Sequence, residues 1–262
     1  MLVICYINMT NNRNILSAIK LFQLFGGRIA HPHGLGISEK TLSELLRQEV
    51  LSPHNLGGYQ LTPLPPFLRP SPYHLVKELL PFEGSSFFNQ ESVIGLGNIL
   101  RNNKIETIVE LGCWHGISTI FMATFLPLSG TVYAVDHWEG SAEHTQDCSM
   151  LYNQFLSNVI RTRLTDQIIP LRMTTLEASR KLFPPIDLIY VDASHDQDSV
   201  LQDLEAWYPH IEMSGGILCG DDFLWGKDEG YPIQKALKHF TNKSSLSIEN
   251  QGTFWRVVRD TI

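Results

Sequence analysis

From residue 90 onward the chain alternates between apolar runs of strand length and longer, helix-like stretches. The apolar runs lie at 107–111, 131–135, 167–171, 186–191, 215–219 and 254–259, with 244–248 as a further short candidate. The helix-like stretches lie near 92–103, 117–126, 149–161, 175–182, 198–211 and 230–240. This alternation predicts an α/β fold with a doubly wound, mostly parallel, seven-stranded sheet and helices on both faces.

Residues 1–90 follow a different pattern and are predicted to form a helical and proline-rich extension to a domain over residues 91–262. Helices are predicted at 15–25 and 41–51, and the second opens with Thr41 and Glu44 in the spacing of a capping box. Five prolines then fall within 61–74. Because proline fixes φ and has no backbone donor, this segment is predicted to be an extended arm.

Composition narrows the classes of function. The chain has 262 residues, 43% of them hydrophobic and 18% charged, and a formal net charge of -7. An acidic chain without a basic face cannot displace the counterions of a nucleic acid, so no nucleic-acid partner is expected. The four cysteines are far apart and form no CxxC motif, which predicts neither a zinc site nor disulfides and favours the cytoplasm.

The chain start and the hydropathy profile predict no membrane segment. No apolar run reaches the roughly 18 residues that a spanning helix needs, and the first residues lack the basic leader of a signal peptide. Met1 and Met9 are both candidate initiators, and a homo-oligomer is left open.

The first predicted strand of the α/β region ends in the turn Glu110-Leu-Gly-Cys-Trp-His-Gly116. A dinucleotide-binding turn would place glycines at 112, 114 and 117, but Trp114 and Ile117 occupy the second and third of these positions. Glu110 adds negative charge, which disfavours a phosphate and suits a cationic ligand such as S-adenosylmethionine. A tight turn with only a structural role remains the alternative.

The second strand of this region ends at Asp136, twenty residues after Gly116. A carboxylate at this position can accept hydrogen bonds from both hydroxyls of a ribose. The neighbouring His137 and Trp138 are candidates to flank an adenine. An aspartate at a strand end is also a common turn or cap residue, so the interpretation depends on its pairing with the first turn.

Three further aspartates follow two later strands. Asp192 ends the run DLIYVD, and Asp221 and Asp222 end GGILCGDD. Converging carboxylates repel each other unless they are protonated or bridged by a cation, and oxygen ligands favour Mg²⁺ over zinc. A magnesium or other divalent-cation site is therefore predicted, with solvated turn aspartates as the alternative.

The string VELGCWHGIS resembles the first motif of class I S-adenosylmethionine-dependent methyltransferases, which have a Rossmann-like fold. It is especially similar to the metal-dependent O-methyltransferases typified by catechol O-methyltransferase. The stretch from DLIYVDASHD to GGILCGDD resembles the group that contains macrocin O-methyltransferase. The resemblance extends over roughly residues 92–259.

The resemblance implies roles for individual positions. The residues expected to bind the cofactor are Glu110, Gly112, Trp114, Gly116, Ser118, Asp136, His137, Thr174, Thr175 and Asp192. Asp192, Asp221 and Asp222 fall on the metal ligands, and Asp192 is also expected to take part in catalysis. His195 falls where catechol O-methyltransferase has a catalytic lysine, so this chain departs from the lysine-bearing enzymes there.

His195 is the predicted general base. Imidazole has a reference pKa of about 6.5 and accepts a proton near neutral pH without tuning. A histidine just after a strand can equally cap the following helix. His115, His137 and His144 are therefore kept as further candidates.

The predicted function is S-adenosylmethionine-dependent O-methylation of a small-molecule hydroxyl, assisted by a divalent cation. A metal-independent N- or C-methyltransferase, a non-catalytic cofactor-binding protein and an NAD(P)-dependent oxidoreductase are the alternatives. The acceptor site is expected to use segments outside the sheet. The candidates are 61–74, 139–150 and 223–232, together with the rings of Phe67, Tyr73, Trp225 and Tyr231.

Overall fold

A computed structural model describes residues 13–84, 88–141, 147–181, 183–242 and 246–259. The chain divides into two compact units, one formed by residues 1–84 with 153–166 and the other by 85–152 with 167–262. The sequence predicted a boundary at residue 90. The structural division differs mainly in grouping residues 153–166, most of a helix, with the N-terminal segment.

The second unit contains a seven-stranded sheet. Its strands are β4 (Thr107–Leu111), β5 (Thr131–Asp136), β6 (Ile168–Arg172), β7 (Leu188–Val191), β8 (Ile217–Gly220), β9 (Leu246–Gln251) and β10 (Phe254–Arg259). They lie in the order β6-β5-β4-β7-β8-β10-β9. Strands β4 to β8 pair in parallel, whereas β10 pairs antiparallel with both β8 and β9. The predicted Rossmann-like, mostly parallel sheet is confirmed.

Helices connect these strands. They are α3 (Gln90–Asn102), α4 (Ile117–Phe125), α5 (Leu151–Arg161), α6 (Thr175–Ser179), α7 (Gln197–Trp207), α8 (Pro209–Glu212) and α9 (Pro232–Thr241). All four residues of β7 are buried, as expected for a central parallel strand covered on both faces. The core beside it includes Trp207 and Trp255, each about 1% exposed or less.

The chain order reverses between β4 and β7. From β4 the chain continues to β5 and β6 on one side, and from β7 it continues to β8 on the other. Asp192 N–H donates to Leu111 O at 2.8 Å, and Gly112 N–H donates to Val135 O at 2.9 Å, so the ends of three strands lie side by side. Ligands bind at such a switch point in doubly wound sheets.

The first unit contains a short antiparallel sheet that the sequence did not predict. Its elements are α1 (Arg13–Leu24), β1 (Arg28–Ile29), α2 (Glu39–Arg47), β2 (Leu51–Pro53) and β3 (Tyr59–Leu61), with 3-10 turns at Pro32–Leu35, Pro66–Leu68 and Tyr73–Leu75. The strand order is β1-β3-β2. The proposed capping box is wrong, because Ser38 caps α2 by accepting the Thr41 N–H at 3.2 Å.

Polar side chains of residues 153–166 hold residues 80–83, which follow the proline-rich arm, within this unit. Asn158 accepts from Glu83 N–H at 3.1 Å and donates to Glu83 O at 2.8 Å. Gln154 donates to Pro81 O at 2.8 Å, and Arg161 donates to Leu80 O at 2.5 Å. These side chains therefore supply hydrogen-bond partners for the backbone of residues 80–83, which belongs to no strand or helix.

Within the described part of the chain, no helix combines the length and the apolar character needed to cross a bilayer.

Candidate functional site

A cavity of about 630 Å³ opens in the second unit at the carboxyl edge of the parallel strands. Its size is typical of small-molecule sites. Its lining includes ten of the thirteen residues predicted to bind the cofactor or the metal or to take part in catalysis, namely Gly112, Trp114, Ser118, Asp136, His137, Thr174, Thr175, Asp192, His195 and Asp222. The other three of these thirteen, Glu110, Gly116 and Asp221, do not line it.

Gly112 permits close approach of two strand ends. Its φ is 81°, in the left-handed region that disfavours side chains. A Cβ atom at this position would lie 2.1 Å from Asp192 O and 2.6 Å from Ala193 Cα, and both of these are backbone atoms. The residue is therefore restricted to glycine by space as well as by conformation.

Asp136 organises the turn that follows Gly112. Its Oδ2 accepts the N–H groups of Cys113 at 2.9 Å and Trp114 at 3.0 Å, and its Oδ1 accepts the Trp138 N–H at 2.7 Å. The Trp138 indole donates in turn to Trp114 O at 2.9 Å. This closed network supports Trp114 at a φ of 48°, where a bulky residue is strained.

Glu110 lies beneath the turn and is fully buried, not on the cavity surface. Its two carboxylate oxygens accept hydrogen bonds from the hydroxyls of Ser118 and Thr119 at the start of α4. Burial raises the pKa of Glu110 to about 7 from a usual value of 4.5, against the lowering effect of these two hydroxyls. Glu110 therefore links β4 to α4 and keeps the glycine turn in place.

The stability of the protein is expected to fall as Glu110 ionises. Its folded-state pKa lies above its unfolded value, so folding binds a proton, and the stabilisation present below pH 4.5 is lost as the pH rises through about 7. A pKa difference of this size between the folded and unfolded states corresponds to a loss of about 3 kcal/mol in the free energy of unfolding. Chemical denaturation at pH 5 and pH 8 should show this difference in wild type and a smaller one in Glu110→Gln. An equal difference in both proteins would contradict the assignment.

The end of β6 places two threonines at the cavity, and the helix α7 adds a buried aspartate beside them. Thr174 caps α6 in a complete capping box with Glu177. The Thr175 hydroxyl donates to Asp203 Oδ1 at 2.5 Å. Burial raises the pKa of Asp203 to about 6, although the Thr175 hydroxyl acts to lower it. Asp203 was missed from the sequence because nothing in α7 marks it as a residue of the cavity lining.

Two of the three predicted metal ligands, Asp221 and Asp222, bond to different side chains. Asp221 is 4% exposed, with its Oδ2 accepting from Asn89 Nδ2 at 2.8 Å and its Oδ1 accepting from the Asp222 N–H at 2.7 Å. Asp222 pairs with His195. Burial, followed by the negative charges of Asp222 and Asp221, raises the pKa of Asp192 well above its usual value.

No group of three or more His, Cys, Asp or Glu side chains among the described residues is arranged to hold a metal ion. The magnesium site predicted at Asp192, Asp221 and Asp222 is therefore not confirmed. In this structure Asp221 Oδ2 accepts from the Asn89 amide, and Asp222 Oδ2 lies against His195 Nε2.

His195 lies between a carboxylate and an indole ring. Its Nε2 is 2.9 Å from Asp222 Oδ2. Its ring stacks on Trp225 with centroids 4.7 Å apart and planes inclined by 21°. The carboxylate contact and the stacking hold the imidazole in one orientation, which a general base requires.

The other candidate residues differ in position. Trp225 lines the cavity, as do His115 and Phe88, the last of which was not singled out from the sequence. Tyr73 and Phe67 belong to the first unit, Tyr73 buried and Phe67 exposed. Tyr231 is not among the lining residues. His144 and residues 142–146 of the predicted 139–150 segment lie outside the described residues.

Comparison with known proteins gives a family match in this region and a fold match over a larger part of the chain. Residues 109–223 match the family described as a methyltransferase domain. The fold is similar to the O-methyltransferase from Bacillus cereus in complex with SAH, at 19% identity and a TM-score of 0.51 over 70% of this chain and 84% of that chain.

Two further solved structures share the fold. The O-methyltransferase TomG from Streptomyces achromogenes, involved in tomaymycin synthesis and in complex with SAM, matches at 15% identity and a TM-score of 0.51, over 71% of this chain and 84% of that one. A Clostridium thermocellum protein provisionally named as an rRNA methylase matches at 14% identity and a TM-score of 0.50, over 64% and 96%. At these identities the likeness shows the fold and leaves the acceptor undecided.

Proposed function

We propose that this chain, which carries a methyltransferase domain over residues 109–223, transfers a methyl group from S-adenosylmethionine to a hydroxyl group of a small molecule. The observation that carries the proposal is the cavity beside the Gly112–Gly116 turn, which is lined by aspartates next to an oriented histidine. An anionic cavity suits a ligand with a positive sulfur and an ammonium group, whereas a pyrophosphate would be repelled.

The residues present fit such a cofactor. The first turn of α4, after Gly116, has backbone N–H groups that the helix itself does not use, and these can bind a carboxylate. Asp136 and Thr174 line the cavity at the next two strand ends, within reach of a ribose and a base. When bound, S-adenosylmethionine supplies a methyl group on a positively charged sulfur.

His195 would carry out the proton chemistry. The acceptor hydroxyl gives its proton to the imidazole, and Asp222 stabilises the resulting imidazolium through the 2.9 Å contact. With the cofactor bound, methyl transfer would convert this hydroxyl to an ether, and the released proton would be held on His195. The chain's contribution is positioning and proton removal.

Divalent-metal dependence remains a prediction, supported by the repulsion among Asp192, Asp221 and Asp222 and opposed by the present partners of Asp221. Turnover measured in the presence of a chelator decides whether the reaction needs a divalent metal. Loss of activity in chelator with recovery on added Mg²⁺ would establish the cation. Retained activity would leave proton removal to the His195–Asp222 pair alone.

Titration calorimetry with S-adenosylmethionine and S-adenosylhomocysteine tests the proposed function directly. We expect both to bind, and NAD to show no binding. Binding of NAD in their place would favour an oxidoreductase. Cofactor binding without transfer to any hydroxyl, amine or carbon acceptor would favour a non-catalytic protein, and transfer to nitrogen or carbon would redefine the acceptor class.

Removal of the Asp136 carboxylate is expected to weaken both the turn and the cofactor site. Asp136→Ala leaves three part-buried backbone N–H groups without their acceptor, and water can replace part of the roughly 1.5–3 kcal/mol that a charged hydrogen bond contributes. We expect the unfolding free energy to fall by about 2 kcal/mol and S-adenosylhomocysteine affinity to fall by at least about tenfold.

The matched control for this variant is Asp147→Ala, which removes an exposed aspartate whose described hydrogen bonds go to Ser149. Calorimetry and thermal melting on both variants provide the comparison. An Asp136→Ala protein with wild-type affinity would remove Asp136 from the cofactor site.

A further inference from the structure

Asn89 precedes α3 and lies outside the stretch 109–223 that matches a methyltransferase domain. Its side-chain oxygen caps the helix by accepting the Ser92 N–H at 2.9 Å. Its side-chain nitrogen donates to Asp221 Oδ2 at 2.8 Å and to Thr253 Oγ1 at 2.9 Å. A single amide therefore joins the start of α3 to the end of β8 and to the turn between β9 and β10.

The carboxylate of Asp221 lies between the Asn89 amide and the backbone of the next residue. Asp221 is buried, and its Oδ1 accepts the Asp222 N–H at 2.7 Å. Its backbone carbonyl accepts from the Trp255 indole at 2.7 Å. Asp222 has a φ of 61°, in the left-handed region, where a residue other than glycine persists only when its surroundings hold it. Asp221 supplies the acceptor for the N–H group of this strained residue.

Asp222 in turn directs two groups at one imidazole. Its Oδ2 lies 2.9 Å from His195 Nε2. Its backbone carbonyl accepts the Trp225 N–H at 2.9 Å, and the Trp225 ring stacks on His195 with centroids 4.7 Å apart. The conformation of Asp222 therefore sets the position of both the carboxylate and the indole that contact His195.

We propose that Asn89 is a positioning residue for His195, because its amide holds Asp221 and, through Asp221, keeps the Asp222 turn against the imidazole. The inference rests on the proposed function, in which His195 takes the proton of the acceptor. The amide suits this place because its nitrogen donates to a carboxylate while its oxygen caps α3. The competing explanation is that Asn89 only caps the helix.

An exchange of donor and acceptor tests this link. Asn89→Asp keeps an oxygen to cap α3 but places a second carboxylate where the amide nitrogen lies 2.8 Å from Asp221 Oδ2. Asp221→Asn leaves one side-chain oxygen for two donors, the Asn89 amide and the Asp222 N–H. The double variant restores both hydrogen bonds, with donor and acceptor reversed across the first. Asn89→Ser removes the amide without adding charge and retains a capping hydroxyl.

Two indole N–H groups report on this network without any ligand. Trp255 donates to Asp221 O, and Trp225 stacks on His195. In proton–nitrogen correlation spectra of protein labelled at its five tryptophans, we expect Asn89→Asp, Asn89→Ser and Asp221→Asn each to shift both resonances by more than a line width. The double variant should return them to within a line width of wild type. Trp225→Phe and Trp255→Phe assign the two resonances.

The same substitution at the other end of α3 is the matched control. Asn103 donates to Ile99 O at 2.9 Å, so Asn103→Asp also exchanges an amide for a carboxylate, but about 20 Å away along the helix. It should leave the Trp225 resonance in place.

A folded Asn89→Asp or Asn89→Ser protein with a wild-type Trp225 resonance would overturn the proposal and leave Asn89 as a helix cap only. A double variant no closer to wild type than Asn89→Asp alone would do the same. Failure of the wild-type protein to bind S-adenosylhomocysteine in calorimetry would instead contradict the proposed function. The indole spectra, recorded without ligand, would still decide whether Asn89 positions the turn.

Discussion

Replacing His195 by alanine is expected to lower kcat by about a hundredfold or more while cofactor affinity stays within about threefold of wild type. The variant removes the imidazole that Asp222 orients at 2.9 Å but leaves the turn at Gly112 and the Asp136 network intact. Steady-state kinetics with calorimetry on the same protein separates these two effects.

The comparison variants distinguish a base from a structural residue. His195→Gln should lose the ascending limb of the pH–rate profile, because glutamine cannot accept a proton. Asp222→Asn should lose only about tenfold, because asparagine tolerates the φ of 61° at this position and can still accept from Nε2. His239→Ala, at an exposed position of α9, is the control for a lost imidazole. Parallel pH profiles for His195→Gln and wild type would dismiss His195 as the base.

Replacing Gly112 by alanine is expected to have the largest effect on stability. The added Cβ would meet Asp192 O at 2.1 Å, and this backbone cannot move aside, because Asp192 N–H is hydrogen-bonded to Leu111 O at the end of β7. We expect the unfolding free energy to fall by more than about 3 kcal/mol, with loss of S-adenosylhomocysteine binding. Denaturant unfolding and calorimetry provide the two measurements.

Gly215 offers a matched control in the same unit. Its φ of 73° imposes the same left-handed strain, but among the described residues no atom would lie within 4 Å of a Cβ added there. Gly215→Ala should therefore cost only about 1 kcal/mol. If the two variants were equally destabilised, backbone conformation alone, and not the approach of the two strands, would explain the effect.

The strand and helix pattern after residue 90 was predictable because its signal is local. The observed β4 coincides with the predicted 107–111, and β10 coincides with 254–259. Strands β1, β2 and β3 were not predicted, because elements of two or three residues have too little periodicity to be recognised. The proline-rich arm at 61–74 was predicted to be extended, but it contains two 3-10 turns, Pro66–Leu68 and Tyr73–Leu75. The backbone of Leu80 and Glu83, which follow it, is bound by Arg161 and Asn158 from far away in the sequence.

For the candidate site too, some residues could be predicted from the sequence and others could not. The sequence indicated which residues follow the strand ends, and it named Asp136, Asp192, His195 and Asp222 together, because parallel strands end at one edge of the sheet. It did not indicate that Asp203 would join them, since that residue reaches the cavity from the middle of α7.

By itself, the sequence determined the α/β architecture and the set of chemical groups at the rim of the sheet, since both follow from short-range periodicity and from residues adjacent to strands. Only the tertiary structure decided how each group is used. The buried carboxylate of Glu110 accepts hydrogen bonds from Ser118 and Thr119. Asp221 accepts from Asn89, which is far away in the sequence, and His195 is hydrogen-bonded to Asp222. A carboxylate's role depends on which donors packing brings to it, and those donors come from segments that no local pattern connects.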